Sequence, residues 1–154
     1  MPKRYWLLKC EPSAYSIDDL ERDGSASWEG VRNYQARNLL RDEIKPGDGV
    51  LFYASSADPT GVSGIAEVSK GGYPDPTAFK KGHAYFDPKS KKDNPTWFVV
   101  DIRFVKKLPA VVTLDQLKAE PALKNMMVVR KGSRLSVQPV TEAEWNTVLK
   151  MRGE

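Results

Sequence analysis

The sequence predicts an α+β fold in which a small mixed or antiparallel β-sheet of five to six strands curls toward a β-barrel, with short helices at its periphery. Two observations lead to this prediction: short apolar runs typical of strands recur along the chain, and four short helical segments lie between them. The strands and helices do not alternate regularly, so a doubly wound parallel sheet is not expected. The 154 residues have the length of one domain, which we take as 1–154.

Strands are predicted where apolar, β-branched and aromatic residues form runs bounded by glycine, proline or polar residues. The predicted strands are Tyr5–Lys9, Gly49–Ser55, Val62–Val68, Thr96–Val105 and Arg134–Val140, with Met126–Val129 as either a short strand or a helix end. Gly71–Pro76 is predicted to be a rigid loop because glycine and proline dominate it. The lysine-rich segment 80–94 fits a solvated loop or a phosphate-contacting edge equally well.

Helices are predicted where a short polar side chain can accept hydrogen bonds from the free amides of a first turn. The predicted helices start at the N-caps Ser16, Asn33, Thr113 and Thr141, and the first of them ends at Gly24. Thr113 with Gln116, and Thr141 with Glu144, have the spacing of a capping box. The second predicted helix covers Tyr34–Arg41.

The composition is that of a globular chain with a modest excess of positive charge. The net charge is +4 and the isoelectric point is about 9.1, which suits a polyanionic partner without establishing one. Cys10 is the single cysteine, so no internal disulfide forms and a reducing compartment is expected. No apolar run approaches the roughly 20 residues of a membrane helix, and no signal peptide pattern is found. We expect a cytoplasmic protein, or a nuclear one if its source is eukaryotic.

The segment 27–41 combines chemistry that suits a nucleotide. Trp28 lies in a predicted loop, Asn33 caps the next helix, and Arg37 and Arg41 lie four residues apart on one face of that helix. Bases stack on aromatic rings, arginine pairs with phosphate, and asparagine reads base edges. The alternative is that Trp28 is a core or hinge aromatic and that the arginines are solvated.

Motifs of the common enzyme classes are not found in the sequence. His83 is the only histidine, so a His/Cys zinc site with ordinary spacing cannot form. The sequence has no nucleophile elbow, no P-loop and no dinucleotide fingerprint. We therefore expect a protein that is not an enzyme and that uses no metal or cofactor.

Eight segments give the sequence a resemblance to the EVE domain family over essentially its whole length. They are Tyr5–Lys9 with Glu11-Pro12, Trp28–Arg37 (WEGVRNYQAR), Gly47-Asp48 before Val50–Tyr53, Gly64–Val68, Tyr73–Asp75, Asp87–Ser90, Asn94–Trp97 and Arg134–Val140. The resemblance implies a PUA-like fold. It also implies similarity to YTH domains, which bind a methylated adenine of RNA in an aromatic pocket, and a function as a reader of modified bases in DNA or RNA.

The resemblance and the residue chemistry together give a set of candidate ligand-binding residues. These are Trp28, Val31, Arg32, Asn33, Tyr34, Arg37, Tyr53, Ser55, Ser56, Tyr73, Pro74 and Asp75. The expected pocket walls are Trp28, Tyr34 and Tyr73, whereas Tyr53 lies on a strand with apolar neighbours and is favoured as a core residue. The expected partners of the base edge are Asn33, Ser55 and Asp75. The arginines and the loop lysines are the expected phosphate contacts. Ala54 departs from the family pattern, because many relatives carry histidine there.

Two other functions stay open at this point. The basic face and Trp28 also suit a protein-interaction module. An enzyme that acts on a nucleobase or a small metabolite in the same pocket is the least favoured, and it would need an acid or base such as Glu11 or Asp75 there.

Overall fold

The computed structural model describes residues 4–13, 15–28, 33–55, 59–83, 85–91, 95–130 and 135–151. Within these ranges the strands are β1 (Tyr5–Cys10), β2 (Ser25–Ser27), β3 (Gly49–Ala54), β4 (Gly61–Pro74), β5 (Phe98–Thr113) and β6 (Val137–Val140). They form one mixed sheet in the order β2-β5-β4-β3-β1-β6, which is not closed into a barrel. β1 and β3 pair in parallel, and the other neighbours are antiparallel.

The helices are short and flank the sheet. They are α1 (Ile17–Asp23), α2 (Tyr34–Asn38), α3 (Leu114–Ala119) and α4 (Glu142–Lys150). A π-helical turn, Leu39–Glu43, follows α2 directly, and 3₁₀ turns occupy Pro76–Phe79, Pro121–Leu123 and Met127–Val129. The predicted α+β class, with a five- to six-stranded mixed sheet and peripheral helices, is confirmed.

The predicted N-caps are confirmed in the structure. Ser16, Thr113 and Thr141 each accept a side-chain hydrogen bond from the backbone N–H of the third helical residue, and each donates its own backbone N–H to that residue's side chain, which completes a capping box. Asn33 Oδ1 accepts from the backbone N–H of Ala36 at 3.0 Å. Local hydrogen bonding therefore sets where these helices begin.

Several predicted boundaries are wrong. β4 continues through Tyr73 to Pro74, although Gly71–Pro76 was expected to be a loop. Register shifts between β4 and β5 let the strand carry its glycines without ending the pairing. The three-residue strand β2 was not predicted, because Ser25-Ala26-Ser27 has no strong β signal. Met127–Val129 is a 3₁₀ turn, and the last strand begins at Val137, with the predicted start at Arg134 lying outside the described residues.

The two faces of the sheet carry separate hydrophobic clusters. We call them the Trp28 face and the Trp145 face, after one residue in each. The Trp28 face contains Trp6, Leu8, Val50 and Phe52 under α1, α2 and the π turn, whereas the Trp145 face contains Leu7, Leu51 and Tyr53 under α3 and α4. Successive side chains of a strand point to opposite faces, so this alternation decides which candidate residues can share a site.

Candidate functional site

Trp28 is a core residue of the Trp28 face that keeps a small solvent-exposed edge. Its backbone N–H donates to Val100 O at 2.8 Å, which continues the pairing of β2 with β5. Its indole is 8% exposed and meets the Phe52 ring edge-on, with 5.5 Å between the ring centroids. Of the two interpretations of Trp28, this burial favours the core aromatic over an open pocket wall. Its candidate neighbours Val31 and Arg32 lie outside the described residues.

Asn33 and Ser55 sit at the ends of elements that border the Trp28 face. Asn33 is exposed, and because its side-chain oxygen is bonded to the Ala36 amide, its NH₂ group is the part suited to donate to a ligand. Ser55 directly follows β3, is half-buried, and its backbone N–H donates to Cys10 O at 3.0 Å. Ser56 lies outside the described residues.

The pairing of β3 with β4 contains a β-bulge that lies on β4. Phe52 pairs with Gly64 and Tyr53 pairs with Val62, so Ser63 is the extra residue. The Ser63 Oγ donates to Phe52 O at 3.2 Å. A bulge redirects the side chains of the strand that carries it, whereas β3 keeps its regular alternation, with Phe52 on the Trp28 face and Tyr53 on the Trp145 face.

Tyr53 lies on the other side of the sheet from Trp28. It belongs to the cluster of the Trp145 face and is 3% exposed. Burial raises the pKa of its phenol, as expected for a group whose charged form would be poorly solvated. The structure therefore does not bring Tyr53 into a common site with Trp28.

Tyr73 also points away from the Trp28 face. Its hydroxyl donates to Asp101 Oδ1 at 2.6 Å and lies 3.0 Å from Ser27 Oγ. Asp101 and Ser27 are register partners, and Asp101 lies between Val100 and Ile102, whose side chains pack on the Trp28 face. Because side chains alternate along a strand, Asp101 lies on the side of the sheet opposite the Trp28 face, and the Tyr73 hydroxyl is bonded there.

Asp75 and Pro74 mark the end of β4 and do not form a base-reading group with Asn33. Asp75 is fully buried, and its Oδ1 accepts from the Thr77 N–H at 2.8 Å and from the Thr77 hydroxyl at 2.6 Å. The carboxylate thus caps the turn Pro76–Phe79. Pro74 is exposed beside it.

The exposed Tyr34 and the half-buried Arg37 rest on the buried ring of Trp97, and we call these three residues the Tyr34 platform. The Tyr34 ring stacks on Trp97 with 5.1 Å between centroids and 29° between planes, and Tyr34 is 63% exposed. Arg37 Cζ lies 5.2 Å from the Tyr34 centroid. The guanidinium donates from Nη1 to Thr96 O and from Nε to Asn38 Oδ1, both at 2.8 Å. The platform is therefore held from α2 on one side and from the segment before β5 on the other.

The platform continues into the lysine-rich loop. Trp97 is buried, and its indole N–H donates to Asp87 Oδ2 at 2.6 Å. The other oxygen of Asp87 accepts from the backbone N–H of Lys89 at 2.9 Å. The exposed lysines of this loop are Lys80, Lys81, Lys89 and Lys91, and Lys92 lies outside the described residues. Asp87 therefore ties a chain segment with four exposed lysines to the ring beneath Tyr34.

Trp97 and Asp87 were not among the predicted site residues. They are distant in sequence from Tyr34, and only the fold brings them together. The signal that could have found them is the resemblance itself, since both belong to the segments Asp87–Ser90 and Asn94–Trp97 that carry it.

In the described ranges, no group of three or more His, Cys, Asp and Glu side chains is placed to hold a metal ion. None of the helices in the same ranges is long and apolar enough to cross a membrane. Cys10 is half-buried, and burial is the main cause that raises the pKa of its thiol.

The fold is that of a family of small domains built on one mixed sheet with short helices around it. The chain belongs to the EVE domain family, whose model matches residues 4–151. It is 39% identical over 166 residues to human thymocyte nuclear protein 1, covering 96% of this chain and 73% of that protein.

Solved structures show the same similarity in three dimensions. A protein from Pseudomonas syringae is 46% identical with a TM-score of 0.92, over 96% of this chain and 99% of that chain. The human THYN1 protein in complex with DNA containing 5-methylcytosine is 37% identical with a TM-score of 0.91, over 99% of both chains. The YTH domain of Zygosaccharomyces rouxii MRB1, at 16% identity and a TM-score of 0.57, shares the fold.

Proposed function

We propose that this protein binds nucleic acid and reads a modified nucleobase in DNA or RNA. The observation that carries the proposal is the close structural match, over 99% of both chains, to human THYN1 in complex with DNA that contains 5-methylcytosine. At 37% identity and a TM-score of 0.91, the two proteins share one fold over nearly their whole length. A binding function without a chemical step suits the absence of any enzyme motif in the sequence.

We place the base at the edge of the Trp28 face, between Trp28, the start of α2 and the end of β3. Of the described candidates, Trp28 directly follows β2, Asn33 caps α2 and Ser55 directly follows β3. Val31, Arg32 and Ser56 lie outside the described residues and stay predictions. Trp28 is a core residue, so it contributes only its small exposed edge to this site, and its contact with Phe52 fixes that edge before the ligand arrives. Tyr53, Tyr73, Pro74 and Asp75 are left out of this pocket because of where they lie.

Hydrogen bonds at the base edge are expected to carry most of the choice between bases. An unpaired buried polar group costs about 1–3 kcal/mol, so an edge that does not match Asn33 is rejected. One added methyl group buries about one CH₂ and contributes about 0.8 kcal/mol, roughly fourfold in affinity. The proposed pocket therefore identifies the base by its polar edge and the methyl mark by shape and desolvation.

Phosphate contacts are expected to supply the part of the affinity that does not depend on sequence. The lysines of the loop 80–91 are exposed and lie on a segment bound to Trp97. Such contacts make binding weaken steeply as salt rises. Access to nucleic acid also fits a cytoplasmic location in a bacterium or a nuclear one in a eukaryote, which we propose together with the function.

The proposal is tested by fluorescence anisotropy with labelled oligonucleotides of one sequence. Single- and double-stranded DNA and RNA would carry either plain bases or one modified base, including 5-methylcytosine and N6-methyladenine, at two salt concentrations. We expect at least one modification to bind about fourfold tighter than its plain counterpart, with weaker binding at high salt. Equal affinities for every plain and modified pair would contradict the proposal.

A matched pair of charge variants checks the phosphate contacts. Lys89→Gln with Lys91→Gln removes two positive charges from the loop, and Lys118→Gln with Lys124→Gln removes two exposed charges from the region of α3. The loop variant should weaken binding and reduce the salt dependence more than the α3 variant does, because only the loop adjoins the proposed site. Equal effects would mean that the net charge, and not this surface, attracts the nucleic acid.

A further inference from the structure

We propose that the Tyr34 platform stacks an unpaired nucleobase that flanks the modified one, so that the protein holds at least two nucleotides. The inference rests on the proposed function for its ligand class, but its evidence is a different surface. In this inference Tyr34 stacks the flanking base outside the pocket, Trp97 supports the Tyr34 ring, and Asp87 connects Trp97 to the lysine-rich loop.

The first argument is the exposure of an aromatic ring that is held in place. Tyr34 is 63% exposed and is the most exposed of the large apolar side chains in the described residues, ahead of Val105 at 47% and Tyr85 at 40%. Trp97 supports the ring from within the protein. An exposed ring that is already ordered loses little side-chain entropy when a planar ligand stacks on it.

The second argument is the charge beside the ring. Arg37 uses its Nε and Nη1 for Asn38 and Thr96, which leaves further N–H donors on a guanidinium that has five. Among the described residues no carboxylate forms an ion pair with Arg37. A ring next to such a guanidinium matches a nucleotide, whose base stacks while its phosphate accepts hydrogen bonds.

The third argument is the surface around the platform. Asp87 accepts hydrogen bonds from both the Trp97 indole and the Lys89 backbone N–H, so the loop that carries the exposed lysines is attached to the ring that supports Tyr34. Most protein-protein interfaces are depleted of lysine, whereas grooves for single strands combine stacking rings with positive charge. The occupant we infer is therefore an unpaired nucleotide of a bound strand.

The test combines Tyr34 variants of the full chain with abasic oligonucleotides. Affinities are measured for a single strand with the preferred modified base, and for versions in which the nucleotide on either side lacks its base. For the wild type we expect loss of one flanking base to weaken binding about 5- to 150-fold, the range for one stacked base. Tyr34→Ala should weaken binding of the intact strand by a similar factor and should then be insensitive to the abasic change.

Two controls separate stacking from damage to the fold. Tyr34→Phe keeps the ring and should bind like the wild type, and Val105→Ala removes exposed apolar surface elsewhere on β5 and should also leave binding unchanged. Urea unfolding should give Tyr34→Ala a stability close to that of the wild type, because the side chain is mostly exposed.

The outcomes distinguish this inference from the proposed function. If the wild type prefers the modified base but the effects of Tyr34→Ala and of the abasic site multiply independently, the stacking inference is wrong and the reader function stands. If Tyr34 and the flanking base are coupled but modified and plain strands bind equally, the reader function is wrong and the stacking surface stands. A Tyr34→Ala protein that binds every strand like the wild type also overturns the inference.

Discussion

Gly71 and Gly72 give a matched pair of substitutions on β4 that tests how the strand packs against the π turn after α2. A Cβ on Gly72 would lie 2.4 Å from Leu40 O and 2.9 Å from Arg41 Cα, and both of these are backbone atoms. A Cβ on Gly71 would approach nothing nearer than 3.4 Å, at Pro46 Cδ. The two alanine variants make the same chemical change on adjacent residues, but only one of them collides with the backbone.

Gly72→Ala is expected to destabilise the protein by about 1–3 kcal/mol, the usual cost of overpacking when the backbone must shift. Gly71→Ala is expected to be neutral or to stabilise by up to about 1 kcal/mol, because alanine restricts the unfolded chain. The two variants should therefore differ by about 1–4 kcal/mol, and at about 2–4 °C per kcal/mol for a domain of this size their midpoints should differ by roughly 2–16 °C. Urea and thermal unfolding of both variants measure the difference, and equal stabilities would refute the described contact between β4 and the π turn.

Three further predictions concern single side chains. Asn33→Asp keeps an acceptor for the helix cap but loses the amide donors, so it should keep near wild-type stability and lose discrimination between modified and plain bases. Asn33→Ala should lose this discrimination and also about 1 kcal/mol of stability. If Asn33→Asp discriminates like the wild type, Asn33 is a cap only. Trp28→Ala should cost about 3–5 kcal/mol in urea unfolding, since the indole is buried, and a loss below about 1 kcal/mol would place it outside the core. Burial and the hydrogen bond to Asp23 raise the pKa of Tyr15 from 10.0 to about 12. The protonated phenol therefore stabilises the folded protein below pH 10, and this contribution is lost as pH rises from about 10 to about 12. The difference in unfolding free energy between wild type and Tyr15→Phe should shrink over that window, and a constant difference would contradict the shift.

Local signals predicted the helices well because the determinants are near in sequence. The reciprocal bonds between Thr141 and Glu144, or between Thr113 and Gln116, involve residues three apart. Their side chains satisfy amides that would otherwise lack a partner, whatever the rest of the chain does. The strand and helix patterns gave the α+β class, and the resemblance to the EVE family added the expectation of a PUA-like fold, which no single motif contains.

The extent of β4 was not predictable from its own residues. Gly71 and Gly72 normally weaken a strand, but here β5 supplies the partner and the π turn requires a residue without Cβ. Both causes lie in other parts of the chain. Local composition alone therefore predicted a loop for this segment.

The candidate site was predicted in part, for a similar reason. The segment around Trp28 and Asn33 was found because its chemistry is concentrated in one stretch. The assignment of Tyr53 and Tyr73 to the same pocket needed knowledge of which face each strand residue takes, and the register shifts that decide this are not visible in the sequence. Trp97 was missed because its partner Tyr34 is 63 positions away.

The indole N–H signals of the four tryptophans provide the most direct test of the reader proposal. In an NMR titration with one oligonucleotide in plain and modified forms, we predict that the Trp28 indole signal shifts much more with the modified form. The Trp6 and Trp145 signals should stay in place, since Trp6 is fully buried in the core and Trp145 packs on the opposite face of the sheet. A Trp28 signal that stays unchanged while the modified strand is bound would contradict a base site beside this residue.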